Sequence, residues 1–337
     1  MLHVKECRPA DFDKYVQSTH PEANFLQSTN WGKVYELDGE RVVYLGLFDD
    51  KQQVGATLAI IKRAKRGAYV ELPGGPLADW SNHEQLAAFL HGVKALAKAE
   101  KCVFVRMRPN IPDTADNRQM AQRLGLHASP MHLHAEHTVM LDLEKSEEQL
   151  LADMRRQTRY EVRRADKLGI EVRSESSRQA FDDFYKLQLE TARRQDFVPS
   201  SRQFILAQQE AFGEQAQIYT ASLNGEVLAK GLIILQAPEA AYNEAASTVA
   251  GRKLPGAYAL QWRVIRDAKR AGLKRYNLFG IAPPNSPHHR YAGVTTFKTG
   301  FGGEQLCYLP AQDLIVKPIR YRFVHLLETI RKHRRHL

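Results

Sequence analysis

QIYTASLNGEVLAKGLIIL, residues 217–235, carries two β-rich runs, Gln217 to Leu223 and Val227 to Leu235, on either side of Asn224-Gly225. Asn and Gly tolerate the left-handed backbone that a two-residue turn between antiparallel strands demands, so this pair is the strongest short-range hairpin signal available. A helix-period run, AYALQWRVIRDAKRAGLK (257–274), follows and leads into a strand over Arg275 to Phe279. The same plan occurs earlier in the chain. Tyr44 to Phe48 and Gly55 to Ile61 flank the polar turn Asp49-Asp50-Lys51, HEQLAAFLHGVKALAKAEK (83–101) reads as a helix, and Cys102 to Met107 as a strand. Val54 and Val227 lie 173 residues apart, Ala97 and Ala268 171 apart. A near-constant offset marks a degenerate tandem duplication, and two α/β units account for the 337 residues.

Between the copies, SEEQLLADMRRQTRYEVRRADKLG (146–169) reads as one helix with a capping-type start, acids early, bases late and a stop near Gly169. The boundary is therefore expected just before it. KPIRYRFVHLLETIRKHRRHL (317–337) places Tyr321, Val324, Leu327 and Ile330 near one face of a final helix, which packs back on one of the units and ends in a basic tail.

Apolar residues make up 43% and charged residues 26%, an ordinary globular balance, and no run approaches the roughly 18 apolar residues of a membrane span. The start, MLHVKECRPADFDKY, lacks the apolar core of a leader, so a cytoplasmic location is expected. Cys7, Cys102 and Cys307 are odd in number and widely spaced, which predicts reduced thiols. The formal charge of +10 favours polyanionic partners: RNA, nucleotide-linked substrates or an acidic lipid surface.

Arg155, Arg156, Arg159, Arg163, Arg164 and Lys167 recur at helical spacing, and the face they form suits RNA phosphates or is simply a solvated charged face. His132, His134 and Glu136 alternate on an expected strand, as metal ligands would and as any half-exposed strand does; no metal is expected. Pro283 to His289 forms a proline-rich loop at a strand's carboxyl end, a plausible substrate rim. The pyrophosphate loop of coenzyme A enzymes, [QR]-x-x-G-x-[GA], is only approached by Arg252 to Ala257, where the glycine falls one place late and Pro255 removes an amide donor.

Several stretches in order, FLQSTNWGKV (25–34), PGGPLADW (73–80), the arginine helix ending KLGIEV, LETARRQDF (189–197), GAYALQWRVIRDAKRAGLKRYNLFGI (256–281) and GVTTFKTGFGGE (293–304), resemble the Fem (FemABX) family of peptidoglycan-bridge aminoacyltransferases, in its short-armed branch. The resemblance implies two tandem acetyltransferase-like (GNAT) domains of α/β (α+β) class, each a mixed twisted sheet flanked by helices. The first would comprise 1–145 plus 317–337 and bind the precursor; the second, 146–316, would hold the chemistry and the tRNA side. It implies transfer of an amino acid from aminoacyl-tRNA to the stem peptide of a UDP-linked or lipid-linked muramyl pentapeptide. Neither a cofactor nor a DNA partner is implied, and peripheral contact with the inner membrane surface is compatible with it.

By that resemblance Lys298 is the essential lysine, where a fixed cation would meet the negative charge that grows on the ester carbonyl. Lys33 and Arg194 match residues that contact the precursor diphosphate, with Arg193 an adjacent alternative, and Tyr258 and Phe297 match aromatics lining the peptide channel. Arg155, Arg159 and Arg163 are the candidate tRNA contacts. The chain departs from the pattern at Arg108, where an acid is expected, and in PGGPLADW, which lacks an arginine before Gly-Pro. An acyl-coenzyme A N-acyltransferase and a non-catalytic RNA or membrane-surface binder are the competing readings.

Overall fold

The structure, a computed structural model, describes residues 1–64, 67–286 and 289–334. Its strands are β1 (Leu2–Glu6), β2 (Arg41–Asp49), β3 (Gln52–Ala64), β4 (Gly67–Gly74), β5 (Phe104–Pro109), β6 (His127–Ala128), β7 (His137–Asp142), β8 (Glu171–Glu175), β9 (Ala216–Leu223), β10 (Glu226–Gln236), β11 (Glu239–Ser247), β12 (Arg275–Asn277), β13 (Glu304–Cys307) and β14 (Gln312–Ile315). They form two mixed seven-stranded sheets, ordered β1-β2-β3-β4-β5-β14-β6 and β13-β7-β12-β11-β10-β9-β8.

In each sheet the hairpin is antiparallel and its partner strand joins the post-helix strand in parallel, β4 to β5 and β11 to β12. The helices His83–Ala99 and Gly256–Arg270 make those crossovers. A parallel connection needs such a crossover, so the hairpin-helix-strand order is the physical signature of the unit. Both hairpins also carry one extra residue on their second strand, Val54 between the pairs Phe48–Gln53 and Leu47–Gly55, and Leu228 between Val227–Ser222 and Ala229–Ala221. The matched bulges are an independent mark of duplication. At Asn224 and Gly225 φ is +51° and +82°, the left-handed turn the sequence predicts.

The described residues divide into two compact units: Met1–His137 with His289, Arg290 and Leu306 onward, and Thr138–Ser286 with Tyr291–Gln305. The division falls at 137/138, ahead of the expected 145/146, because Met140, Leu141 and Asp142 pair with β12. The return begins at 306, ahead of the expected 317, because β14 pairs with both β5 and β6. The first core gathers Leu47, Ile61, Leu72, Phe89, Val93 and Met107, and the second Leu141, Ile233, Val264, Ile265, Tyr276 and Phe301.

The single helix expected from Ser146 is two. Helix Glu147–Asp153 starts on a Ser146–Gln149 capping box and stops at Met154, whose ψ of 142° is extended. Met154 is buried, the Arg155 amide donates to the Gly300 carbonyl at 2.9 Å, and the second helix, Arg156–Leu168, starts from there. Tertiary burial overrides helical propensity at this break.

Two residues after Gly300 comes the turn Gly302-Gly303, with φ of +83° and +82°. A Cβ on Gly303 would sit 2.4 Å from the Met140 carbonyl oxygen. Gly303→Ala is therefore expected to lower the unfolding free energy by about 2 kcal/mol or more, read from a urea titration.

Candidate active site

Lys298 lies in the last turn of helix Ala292–Thr299 and is 8% exposed. Its Nζ donates to the Gly280 carbonyl at 2.8 Å and stands 5.6 Å from the centre of the Tyr242 ring. No carboxylate of the described residues pairs with it. Burial alone therefore brings its amine down from the usual 10.5 to about 7. It opens on a cavity of about 230 Å³, also lined by Thr191, Gln195, Tyr242, Glu244, Ser247 and Phe297. The carbonyl that orients Lys298 comes from the segment leading to the proline-rich loop, whose Ala282 amide donates to Thr295 Oγ1 at 2.7 Å. Of that expected rim, residues 287 and 288 lie outside the described residues.

Phe297 packs edge to face with both Tyr258 and Phe301, with ring centres 5.1 Å and 5.2 Å apart. Phe297 reaches the cavity. Tyr258 stands behind it, half-buried against the core. Arg194, near the end of helix Arg178–Gln195, turns inward and donates to the Ser247 carbonyl, which Thr191 Oγ1 also meets at 3.1 Å. Its Nε is buried without a partner beside the cavity wall, whereas Arg193 is exposed. The inward residue of the pair is Arg194.

The sequence reading missed Glu244, the one carboxyl among the lining residues. Asn243 is the extra residue of a second bulge, between Leu232–Glu244 and Ile233–Tyr242. That bulge brings both Tyr242 and Glu244 to the cavity, and Asn243 Nδ2 anchors it on Gln208 Oε1 at 2.7 Å. Glu244 accepts from Gln188 Nε2, from Ser200 Oγ at 3.1 Å and from Gln208 Nε2 at 3.4 Å. Burial raises its carboxyl, and these three neutral donors only partly offset that. An amine and a carboxyl both displaced toward neutrality face one cavity, the arrangement by which proteins assign acid and base roles. A bulge has no sequence signature strong enough to announce this.

In the first unit, Lys33 sits on helix Thr29–Leu37, half-exposed and 3.7 Å from Glu36. Gln27 of the FLQST stretch is fully buried: Nε2 donates to the Pro73 carbonyl and Oε1 accepts the Leu58 amide at 3.0 Å. It thereby fixes the PGGPLADW loop. Gly74, Pro76, Leu77 and Trp80 of that loop line a cavity of about 270 Å³ with His20 and Asn110. Arg108 is buried, with its guanidinium 5.0 Å from the Tyr308 ring centre; burial pushes the nearby Glu136 carboxyl up, but His132, the Ala311 amide and the Arg108 charge together hold it below its usual value.

The FemAB family description matches this chain over residues 8–127, 123–226 and 224–329. The chain belongs to the FemAB family. A lipid II:glycine glycyltransferase of Staphylococcus aureus is 27% identical over 199 residues, 56% of this chain and 47% of that protein, so the chain spans about half the length of the curated relatives it matches. The crystal structure of FemX superposes with a TM-score of 0.83 at 18% identity, covering 96% of this chain and 100% of that one. A tandem GNAT protein from the clavulanic acid biosynthesis pathway gives 0.61 at 13% identity, covering 94% and 99%. The fold is thus a tandem of GNAT-like units.

Two expectations change in this FemAB chain. Arg159 Nη1 caps the Leu151, Ala152 and Met154 carbonyls at 3.0–3.3 Å, and Arg155 Nη2 donates to the Thr296 carbonyl at 2.9 Å. Both hold the helix break and the Lys298 helix together. Arg163 points to solvent, as do Arg156 and Lys167. The second change concerns His132, His134 and Glu136, which occupy an irregular segment before β7 rather than a strand. His132 Nδ1 lies 2.7 Å from Glu136 and His134 Nε2 3.6 Å from Glu71, so the three do not converge.

Proposed function

We propose that this FemAB-family chain transfers an aminoacyl group from aminoacyl-tRNA to an amine of the stem peptide of a peptidoglycan precursor. The observation that carries this reading is the Lys298 cavity, where the family-motif lysine is buried, unpaired by any described carboxylate, and faces Glu244 across no other charged group among the lining residues.

The amine attacks the ester carbonyl, a C–N bond forms and the C–O bond to the tRNA ribose breaks. Lys298 donates to the carbonyl oxygen as its charge grows. The proton shed by the amine passes to Glu244 and from there to the departing ribose oxygen, so the step balances without a cofactor. Lys33 is the diphosphate contact of the first unit; in the second, Arg194 serves the precursor and Phe297 with Tyr258 bounds the peptide. Arg156, Arg163 and Lys167, spaced by seven and four on the outer face of their helix, meet tRNA phosphates.

Labelled amino acids from a total charged tRNA pool, offered with UDP-linked and with lipid-linked muramyl pentapeptide, test this directly. Transfer to either acceptor supports it; transfer to neither, with acyl-coenzyme A accepted instead, sinks it. Three phosphate contacts also predict that donor affinity falls roughly 30-fold between 50 and 200 mM salt, and that charge removal at Arg156 and Arg163 flattens this slope.

A further inference from the structure

We propose that the C-terminal helix Pro318–Arg334 is a docking element that lays its outer face on an anionic phospholipid surface. Twelve large apolar side chains stand exposed among the described residues, and five of them, Ile319, Phe323, Leu326, Leu327 and Ile330, are on this one helix, 42–77% exposed. Their spacing of four, three, one and three residues puts them on one stripe about 100° wide. Tyr321 and Val324 point the other way, into a small core with Val103 and Phe104. The helix is therefore apolar on two opposite faces, and only one of them is covered.

The charges on it decide the occupant. Arg322 lies on one edge of the outer stripe and Arg320 and Arg331 on the other, all exposed. The sole carboxylate of the helix, Glu328, faces inward and pairs with Arg106 at 2.8 Å. An apolar stripe flanked on both sides by arginines and free of outward acids is the pattern of a helix that lies in a membrane interface, with the apolar side chains below the headgroups and the cations among the phosphates. A second copy of the same helix fits poorly, because it would bring arginine rim against arginine rim. The helix lies on the surface and does not cross it: it has 17 residues, and no described helix is long and apolar enough to span a bilayer.

The test reads binding alone, so it stands or falls separately from the transfer reaction. The full chain is sedimented with vesicles of phosphatidylcholine and with vesicles containing one third phosphatidylglycerol, alongside Phe323→Ser/Leu327→Ser and Arg322→Glu/Arg331→Glu. The expected result is that wild type partitions onto the phosphatidylglycerol vesicles and stays in solution with phosphatidylcholine. Each double variant should bind at least about tenfold more weakly while melting at the wild-type temperature. Wild type remaining in solution with both vesicles, or variants that bind as it does, would overturn the proposal. So would a wild-type dimer that the Phe323/Leu327 variant dissociates, since a second copy would then cover the stripe.

Discussion

Lys298→Ala is expected to lower the transfer rate by about 10²–10³-fold, the usual cost of removing one donor from a developing oxyanion. On the proposed mechanism the lysine acts as a cation or donor in a cavity lined by a single carboxyl, so the loss should appear in the rate of the chemical step more than in precursor affinity. Its pH dependence follows from the burial that holds its amine near 7. The kcat/KM of the wild type should fall as pH rises through about 7, because the free enzyme's amine is then neutral, and the residual activity of Lys298→Met should lack that limb. Stability should move the opposite way. Between pH 7 and 10.5 the unfolded lysine binds a proton that the folded one does not, so wild-type stability rises with pH across this window. Below 7 both states are charged and the cost of burying the cation is fully present. Lys298→Met is thus expected to be more stable than wild type by up to several kcal/mol at pH 6, a difference that shrinks toward pH 10.5. A variant that loses activity while gaining stability would mark Lys298 as a functional residue; equal or lower stability at pH 6 would contradict the reading.

Asp313→Ala is expected to destabilise the first unit by about 3–5 kcal/mol, the range for removing one partner of a buried ion pair. Asp313 is fully buried and accepts two parallel bonds from Arg106, Nε and Nη2 each at 2.8 Å, together with the Tyr321 hydroxyl at 3.0 Å. Burial pushes its carboxyl up, while Arg106 and Tyr321 pull it back. Without it, a guanidinium only 5% exposed keeps Glu328 alone. Urea unfolding checks the loss. Asp313→Asn, which keeps the shape and an acceptor, should lose less.

The duplication was legible because its signals are local. Asn224-Gly225 specifies a turn by backbone chemistry, and the crossover helices repeat apolar residues at helical period, so the strands on either side followed. The motif containing Lys298 was legible from resemblance, and the structure adds why a lysine there is unusual: nothing in the sequence says that Gly280's carbonyl is its main polar partner. What the sequence hid depends on long-range geometry. Arg155 and Arg159 look like phosphate ligands until the fold brings the Thr296 carbonyl to Arg155 and the break at Met154 offers Arg159 three carbonyls to cap. Glu244 is one acid among many until a bulge at Asn243 aims it. His132, His134 and Glu136 look paired by alternation, but alternation matters only where a strand exists, and β7 begins one residue after them.

The placement of β14 sets an order of assembly during synthesis. Among the described residues β6 has only β14 as a neighbour, and Arg106 finds its two carboxylates there, Asp313 and Glu328, beyond residue 312. Most of the second unit is one continuous segment, Thr138–Ser286, which is translated whole before those residues are made. The half of the protein that is translated first is therefore the half that is finished last, and until then it carries an open sheet edge at β5 and an unpaired buried arginine. That nascent state is where a chaperone would be needed most.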